Sequence, residues 1–281
     1  MAQFTNQAQL SYNNSVTNSN IAVGEILEVL SATKTALTDS YIRNDNIVYI
    51  ISIINSGAID ITGLTVTDNL GSYAFNQTQL VPLEYVEGSI RYYINGVLQT
   101  PPTVTTPPFT VSGIDVPAEG NAIIIYETTT NQFAPLELNG SITNSAVISG
   151  NGITPITISE TVETQNAADL TITKSISPVP VTEHGRLTYT FYIQNSGNTE
   201  AGSDANIVIT DVFNPILTNI SVTLNGSAFP TTSYNYNETT GVFQSVSGTI
   251  TVPAATYTQD ATDGRIVITP GIATLVITGT V

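Results

Sequence analysis

The sequence predicts an all-β protein built from two tandem sandwiches, and three observations support this. Thr, Ser, Asn, Val and Ile dominate a composition that also holds 20 Gly and 14 Pro, which is typical of strands separated by turns. Short segments alternate apolar and polar residues with a period of two, as half-buried strands do. Part of the first half also reappears in the second half, which indicates an internal repeat.

The repeat becomes visible when the chain is shifted by 140 residues, which places residues 30–57 on residues 170–197 without a gap. Three further segments follow in the same order in both copies: 64–68 with 207–211, 90–96 with 220–226, and 122–126 with 273–277. The second of these segments ends in Asn-Gly in both copies, a signal for a tight hairpin turn. Repeated strands at short, turn-bounded spacing favour two β-sandwiches in tandem.

The repeats set the expected domain boundaries. Residues 1–28 are expected to be an N-terminal donor strand and linker, 29–150 the first sandwich, 151–168 an inter-domain linker, and 169–281 the second sandwich. The second sandwich is expected to lack its last strand, because the first repeat continues after its 122–126 segment to a strand around Asn144. The second repeat reaches Val281 without a counterpart of that strand.

The N-terminus carries a match to this missing strand. Residues 142–149 read Ile-Thr-Asn-Ser-Ala-Val-Ile-Ser, and residues 4–11 read Phe-Thr-Asn-Gln-Ala-Gln-Leu-Ser. We expect a donor strand whose inward positions are Phe4, Asn6, Ala8, Leu10 and Tyr12. Strand addition would complete the second sandwich of a neighbouring copy and produce a polymer. The alternative is that the strand folds back onto its own chain, which gives a monomer.

Charge and composition exclude several function classes. The formal net charge is −16, from six Lys plus Arg against 22 Asp plus Glu, which argues against nucleic acid or an anionic membrane as a partner. The absence of Cys and the single His argue against disulfides, metal centres and most acid–base enzymes. No cofactor is expected. No run approaches the roughly 18 apolar residues of a membrane-spanning helix, so no membrane insertion is expected. No signal peptide is visible, so either it has been removed or export follows another route.

Four motifs in order carry a resemblance to a known family. Each repeat has a strand with Lys-Thr or Lys-Ser, a strand ending in Asn-Ser-Gly and a Thr-Asp step, and the first repeat ends in an Asn-x-Ala strand. These motifs resemble the immunoglobulin-like repeats of bacterial surface proteins called "domain of unknown function eleven". The resemblance covers residues 29–150 and 169–281 and implies a structural module outside the cell. Such proteins usually carry an export signal and a wall anchor, and the sequence displays neither.

Strand parity places one Lys, one Asp and one Asn on the apolar face of each sandwich. The residues are Lys34, Asp68 and Asn144 in the first repeat, and Lys174, Asp211 and the incoming Asn6 in the second. Burial favours a neutral, nucleophilic Lys and a protonated Asp, which can polarise the Asn amide. The set resembles the self-cross-linked domains of Gram-positive pilins. It therefore predicts Lys–Asn isopeptide bonds with Asp68 and Asp211 as catalysts. The alternative is a polar cluster in which each Lys pairs with its Asp and reaches solvent at a strand end.

Together these features predict a structural subunit of an extracellular fibre on a bacterial cell or spore surface. The expected partner is the chain itself, as a head-to-tail homopolymer locked by isopeptide bonds. No enzyme activity beyond autocatalytic self-cross-linking is expected. The alternative function is a monomeric surface adhesin or a ligand-binding stalk module.

Overall fold

The structure is a computed structural model that describes residues 2–150 and 152–281. Across these residues the regular elements are strands and two single-turn 3₁₀ helices, Ser203–Ala205 and Thr231–Ser233, which confirms the all-β class. A membrane-spanning helix, long and apolar, is not found in this part of the chain. The expected domain boundaries at Met1 and Asn151 fall on residues outside the described ones.

The chain forms two compact units that interleave slightly in sequence. Unit 1 comprises the residues up to Asp39, Asn44–Asn131 and Ile142–Val162. Unit 2 comprises Ser40–Arg43, Gln132–Ser141 and Glu163–Val281. The first unit holds the N-terminal segment and most of the first repeat, and the second unit is mainly the second repeat.

The strands of the N-terminal segment and the first repeat follow one another in chain order. They are β1 (Ala2–Asn6), β2 (Gln9–Tyr12), β3 (Ser15–Asn18), β4 (Ala22–Ile26), β5 (Leu30–Ala36), β6 (Ser40–Tyr41), β7 (Asn46–Asn55), β8 (Ile61–Asp68), β9 (Tyr73–Phe75), β10 (Thr78–Leu80), β11 (Leu83–Tyr85), β12 (Arg91–Ile94), β13 (Val97–Leu98), β14 (Thr103–Thr105), β15 (Phe109–Val116), β16 (Gly120–Thr130), β17 (Ser141–Ser149) and β18 (Ile156–Thr164).

Two facing sheets form the sandwich of the first repeat. One has the order β13-β12-β16-β7-β5, with β11 also pairing with β16, and the other has the order β14-β15-β8-β17-β18. Alternate side chains of the long strands are buried, as the period-two pattern predicts. The core is made by Ile47, Tyr49, Ile51 and Ile53 of β7, Leu64 and Val66 of β8, Phe109 and Val111 of β15, Ile124 and Tyr126 of β16, and Ile142, Ala146 and Ile148 of β17.

The strands of the second repeat continue the numbering. They are β19 (Leu170–Ser177), β20 (Arg186–Asn195), β21 (Thr210–Val212), β22 (Thr218–Leu224), β23 (Ser227–Ala228), β24 (Tyr234–Asn237), β25 (Val242–Ser245), β26 (Thr256–Gln259), β27 (Ile266–Thr269) and β28 (Gly271–Thr280). One sheet has the order β19-β20-β28-β22-β23, and the facing sheet has the order β21-β25-β24. The core includes Leu187, Tyr189, Phe191 and Ile193 of β20, the inward face that the sequence predicted.

Equivalent strands of the two repeats share their pairing. In both repeats the first strand pairs with the long second strand so that each lysine faces an apolar residue, Ile51 opposite Lys34 and Phe191 opposite Lys174. The Asn-Gly hairpins are confirmed, because Asn95 and Asn225 both adopt positive φ and so do the glycines that follow them. Two tandem immunoglobulin-like β-sandwiches are therefore the architecture of this chain.

Both expected linkers require correction. The segment 151–168 contains β18, which pairs with β17 and, through its last residues, in parallel with β6. The segment 13–28 contains β3 and β4. Each stretch expected to be a linker therefore carries the returning strand of a hairpin, because its Ser, Thr and Ile residues pair with the strand before it.

The N-terminal segment is a hairpin and not a single strand. Here we call residues 2–26 the arm. Its first half, β1 and β2, pairs antiparallel with β4 and β3, and Asn13 and Asn14 make the turn with positive φ. Between the Asn6–Ala22 and Gln9–Asn18 pairs the register shifts by one, so the returning strand carries one extra residue. The expected strand 4–12 is thus present in two pieces, each with a partner.

Candidate functional site

The Lys34 and Asp68 side chains meet in the core of unit 1. Lys34 lies on the edge strand β5 and Asp68 at the end of β8, which belongs to the facing sheet. The Lys34 Nζ donates to Asp68 Oδ2 at 2.6 Å, and neither side chain has exposed surface. The Asp68 Oδ1 accepts from the backbone N–H of Leu70 at 2.8 Å. The pair therefore links the two sheets across the sandwich, as the sequence predicted from strand parity.

Asn144 joins this pair through a tyrosine. The Tyr126 hydroxyl on β16 donates to Asp68 Oδ2 at 2.5 Å, and Asn144 Nδ2 donates to the Tyr126 hydroxyl at 3.5 Å. The Asn144 Oδ1 accepts from the backbone N–H of Gly71 at 3.2 Å. Pairing of β17 with β8 puts Ala146 opposite Asp68, so Asn144 lies two positions further along the same face. We call Lys34, Asp68, Tyr126 and Asn144 the unit 1 cluster.

Burial sets the charge balance of the unit 1 cluster. Loss of solvation lowers the pKa of the Lys34 amine from 10.5 to about 8, although the Asp68 carboxylate acts in the opposite direction. Burial, and then the negative charge of Asp68, raise the pKa of the Tyr126 hydroxyl, which therefore stays protonated. The Lys34 amine also lies 4.8 Å from the centre of the Tyr49 ring. A lysine in this setting gives up its proton far more readily than one in water.

Lys174 and Asp211 form the equivalent pair in unit 2. They are in hydrogen-bond contact, and the Lys174 amine lies 4.5 Å from the centre of the Tyr189 ring. Unlike the first pair, this one reaches solvent, with 38% of the Lys174 side chain and 18% of the Asp211 side chain exposed. The lysine and aspartate are thus positioned as in unit 1, but one side of the pair is uncovered.

The uncovered side faces an unpaired sheet edge. In unit 1, β8 is paired on one edge with β15 and on the other with β17. Its counterpart β21 pairs with β25, which corresponds to β15, and among the described residues no strand pairs with the opposite edge of β21. The vacant position is the one that β17 occupies in unit 1.

Two grooves flank the lysine at this edge. One is lined by Ile172, Phe191 and Ile209, and the other by Ile176, Tyr189 and Val212. Every residue of β19 is exposed, whereas Lys34 in the equivalent strand β5 is buried. Ile172 and Ile176, which share a face with Lys174, therefore expose 55% and 43% of their surface, whereas Tyr189, Phe191 and Ile209 are buried at the base of the grooves.

The proposed donor residues are exposed in the arm. Phe4, Leu10 and Tyr12 expose 51%, 60% and 58% of their surface, and Asn6 and Ala8 are exposed as well. In the arm Asn6 lies opposite Ala22. The structure thus brings together Lys34, Asp68 and Asn144, and separately Lys174 and Asp211. The five residues expected to form the donor strand lie on a solvent-exposed hairpin.

Sequence reasoning did not identify Tyr126 as a member of the site. The segment 122–126 alternates with the period of a strand, which places Ala122, Ile124 and Tyr126 on one face. In the second repeat the position of Tyr126 is Ile277. The signal in the sequence is that Tyr126 has a hydroxyl at an inward position where the other repeat has an aliphatic residue.

Comparisons with known proteins give structural similarity without sequence similarity. No protein-family model matches the chain, and no curated protein matches it. The similar solved structures include BcpA, the major pilin subunit of Bacillus cereus, at 12% identity and TM-score 0.37, covering 96% of this chain and 73% of that chain. They also include the pilus backbone RrgB from Streptococcus pneumoniae, at 14% identity and TM-score 0.35, covering 86% and 55%. A collagen-binding domain from a Staphylococcus aureus adhesin has 11% identity and TM-score 0.32, covering 50% and 99%.

These likenesses concern strand architecture. The resemblance to "domain of unknown function eleven" repeats stays a prediction based on the motifs.

Proposed function

We propose that this chain is the structural subunit of an extracellular fibre, assembled head-to-tail by donor-strand complementation. The open edge of β21 is the observation that supports the proposal most directly. A sheet edge without a neighbouring strand, beside exposed apolar side chains, is a template for one added strand. The contact joins two different surfaces of the same chain, so it repeats without closing and produces a filament.

The first half of the arm, β1 and β2, can be aligned with this edge in the register that β17 has beside β8. In unit 1, Ala146 lies opposite Asp68 and Ile148 opposite Val66. The same pairing in unit 2 would place Ala8 opposite Asp211 and Leu10 opposite Ile209, one of the residues that line the first groove. Asn6 then takes the position of Asn144, on the side of the second groove. Along its inward face the arm thus has an apolar residue, an asparagine, an alanine and an apolar residue, in the same order as β17.

A covalent lock is the second part of the proposal. In unit 1 the Lys34 amine attacks the Asn144 side-chain carbonyl carbon, the amide C–N bond breaks and ammonia leaves. The lysine ammonium gives up two protons, one to the departing nitrogen and one to Asp68. The Tyr126 hydroxyl holds the Asn144 amide beside this carboxylate. In unit 2 the same steps join Lys174 to Asn6 of the neighbouring copy, with Asp211 as the proton acceptor.

The chemical roles follow from the two environments. The lowered pKa of Lys34 makes the neutral amine accessible near pH 8. In unit 2, docking of a strand would cover the exposed Lys174–Asp211 pair and remove its water, which favours proton transfer from lysine to aspartate in the same way. Bond formation would then wait for assembly, since only the docked strand brings the asparagine.

Arm deletion tests the assembly. The full-length chain should elute as a range of oligomers and form filaments in negative-stain images, whereas a chain lacking residues 1–12 should stay monomeric. The deletion variant should also show faster hydrogen exchange in β19 and β21 than the assembled chain, because these strands stay uncovered. Filaments formed by the deletion variant at the rate of the full-length chain would refute donor-strand assembly. A full-length chain that remains monomeric at high concentration favours the adhesin or stalk alternative.

A further inference from the structure

The β1–β4 half of the arm and the β17–β18 hairpin have the same strand register. Across β17 and β18 the Thr143 and Thr161 hydroxyls are in contact at 2.9 Å, and the Thr164 N–H donates to the Gly140 carbonyl at 2.7 Å. A shift of 138 residues converts the first pair into Thr5 opposite Val23 and the second into Ala2 opposite Ile26, and both are pairs of the β1–β4 ladder. The same shift converts Asn144 into Asn6. The β1–β4 half of the arm therefore repeats the register of the β17–β18 hairpin, and the register shift of the arm lies beyond it, between β1–β4 and β2–β3.

Both strands of the β17–β18 hairpin contribute to the sandwich. Ile142, Asn144, Ala146 and Ile148 of β17 are buried, and so is Val162 of β18. The residue of the arm that is equivalent to Val162 is Gly24. The ring of Phe4 lies directly over Gly24 and leaves no room for a side chain there. The arm thus has one large and one absent side chain, Phe4 and Gly24, where β17 and β18 have Ile142 and Val162. A large inward residue at position 24 would prevent this packing.

The arm on its own has little to stabilise it. A two-stranded hairpin without a packed face is marginal in water, and β2 and β3 are exposed at every position. Removing β3 and β4 to insert a single strand would also break the ladder pairs that the arm already has. Insertion of the intact hairpin keeps those pairs and covers the outer edge of the inserted strand.

We propose that the arm docks as an intact hairpin onto unit 2 of a second copy of this chain. The first half, β1 and β2, occupies the vacant edge beside β21, and β3 and β4 take the outer position that β18 has in unit 1. This inference rests on the proposed donor-strand function and specifies its partner segment as residues 2–26. Residues 13–26 are then part of the subunit interface and not a linker.

A disulfide that locks the arm closed tests this inference. Thr5 and Val23 lie directly opposite each other, and opposite residues of antiparallel strands have Cα atoms about 4.5–5.5 Å apart, within the usual range for a disulfide. Their equivalents Thr143 and Thr161 are exposed, so the bond would stand on the outer face of the docked hairpin. The chain contains no Cys, so Thr5→Cys with Val23→Cys introduces a single pair into the full-length chain. Thr5→Ala with Val23→Ala, treated with the same oxidant, is the matched control.

Docking of the intact hairpin and docking of a single strand predict opposite effects of the disulfide on the rate of polymerisation. We expect oxidised and reduced protein to polymerise at rates within about twofold of each other, with the disulfide retained in the fibre, since assembly needs no opening of the arm. A slowing of more than about tenfold on oxidation, reversed by reduction, would overturn the hairpin and leave the single donor strand intact. Polymerisation of a chain without residues 1–28 at the full-length rate would overturn both proposals.

Discussion

Lys34 and Lys174 occupy the same position of the repeat and contact the same type of residue, but only Lys34 is covered. Its side chain has no exposed surface, whereas 38% of the Lys174 side chain is exposed. The difference comes from β17, which covers the unit 1 cluster and has no counterpart beside β21 among the described residues. The described residues therefore hold a fully buried and a partly exposed version of one lysine–aspartate pair, and each can serve as the control for the other.

The first prediction concerns the covalent ladder. Lys174→Ala and Asn6→Ala should each abolish detergent-resistant oligomers, because they remove the two partners of the intermolecular bond. Lys34→Ala should leave the ladder intact and remove only the bond inside unit 1. Each bond lowers the mass by about 17 Da through loss of ammonia, so intact-mass measurement counts the bonds. Wild-type fibres that dissociate in hot detergent to chains of unchanged mass would contradict this chemistry in both units.

The second prediction tests the register of the docked strand. Leu10→Glu places a charge opposite Ile209 in the groove, whereas Ser11→Glu places the same charge on the outer face. We expect the first variant to weaken assembly by a few kcal/mol, as for an unpaired charge in an apolar site, and the second to change it little. Sedimentation velocity at a series of concentrations measures both. Equal effects of the two substitutions would mean that the strand does not present alternate residues to the core.

The sequence predicted the sandwiches and the lysine–aspartate pairs because both depend on a period of two. Lys34 lies at an inward position of β5, and Asp68 at an inward position of β8, so parity alone places them together. The arm was predicted less well, since alternation in residues 4–12 does not reveal whether a strand has a partner close by in sequence. Asn13-Asn14 is a turn signal, and it marks the hairpin that a single-strand reading missed. Tyr126 was missed because tyrosine is common at half-buried strand positions for packing alone.

The third prediction concerns the tyrosine of the unit 1 cluster. Tyr126→Phe keeps the ring but removes the hydroxyl that donates to Asp68 and accepts from Asn144. We expect slower and incomplete bond formation in unit 1, visible as a mixture of masses, and an unfolding free energy lower by about 1–3 kcal/mol. The bond in unit 2 should form as in the wild type, because Ile277 holds the equivalent position there. Complete bond formation at the normal rate would assign Tyr126 to packing only.

The fourth prediction is a pH dependence that follows from the buried lysine. It is measured in Asn144→Ala, which cannot form the unit 1 bond. Lys34 has a folded pKa of about 8 against 10.5 in the unfolded chain, so between these values the unfolded state binds more protons. Stability should therefore rise with pH above about 8, by at most about 1.4 kcal/mol per pH unit. The raised pKa of Tyr126 acts in the opposite direction above its ordinary value of 10.0, because the folded chain then keeps a proton that the unfolded chain loses. The free energy of unfolding should therefore increase most steeply between the Lys34 pKa of about 8 and the ordinary tyrosine pKa of 10.0.

The control for this measurement is the double variant Lys34→Met with Asn144→Ala. It lacks the titrating amine, so its urea unfolding free energy should stay level over the same pH interval while that of Asn144→Ala increases. The difference between the two variants cancels the titrating groups that lie away from the unit 1 cluster, including those of unit 2. Parallel profiles for the two proteins would mean that Lys34 keeps an ordinary pKa in the folded state. In that case the neutral amine needed for attack on Asn144 would be scarce at physiological pH, and the polar-cluster interpretation of unit 1 would be favoured over the cross-link.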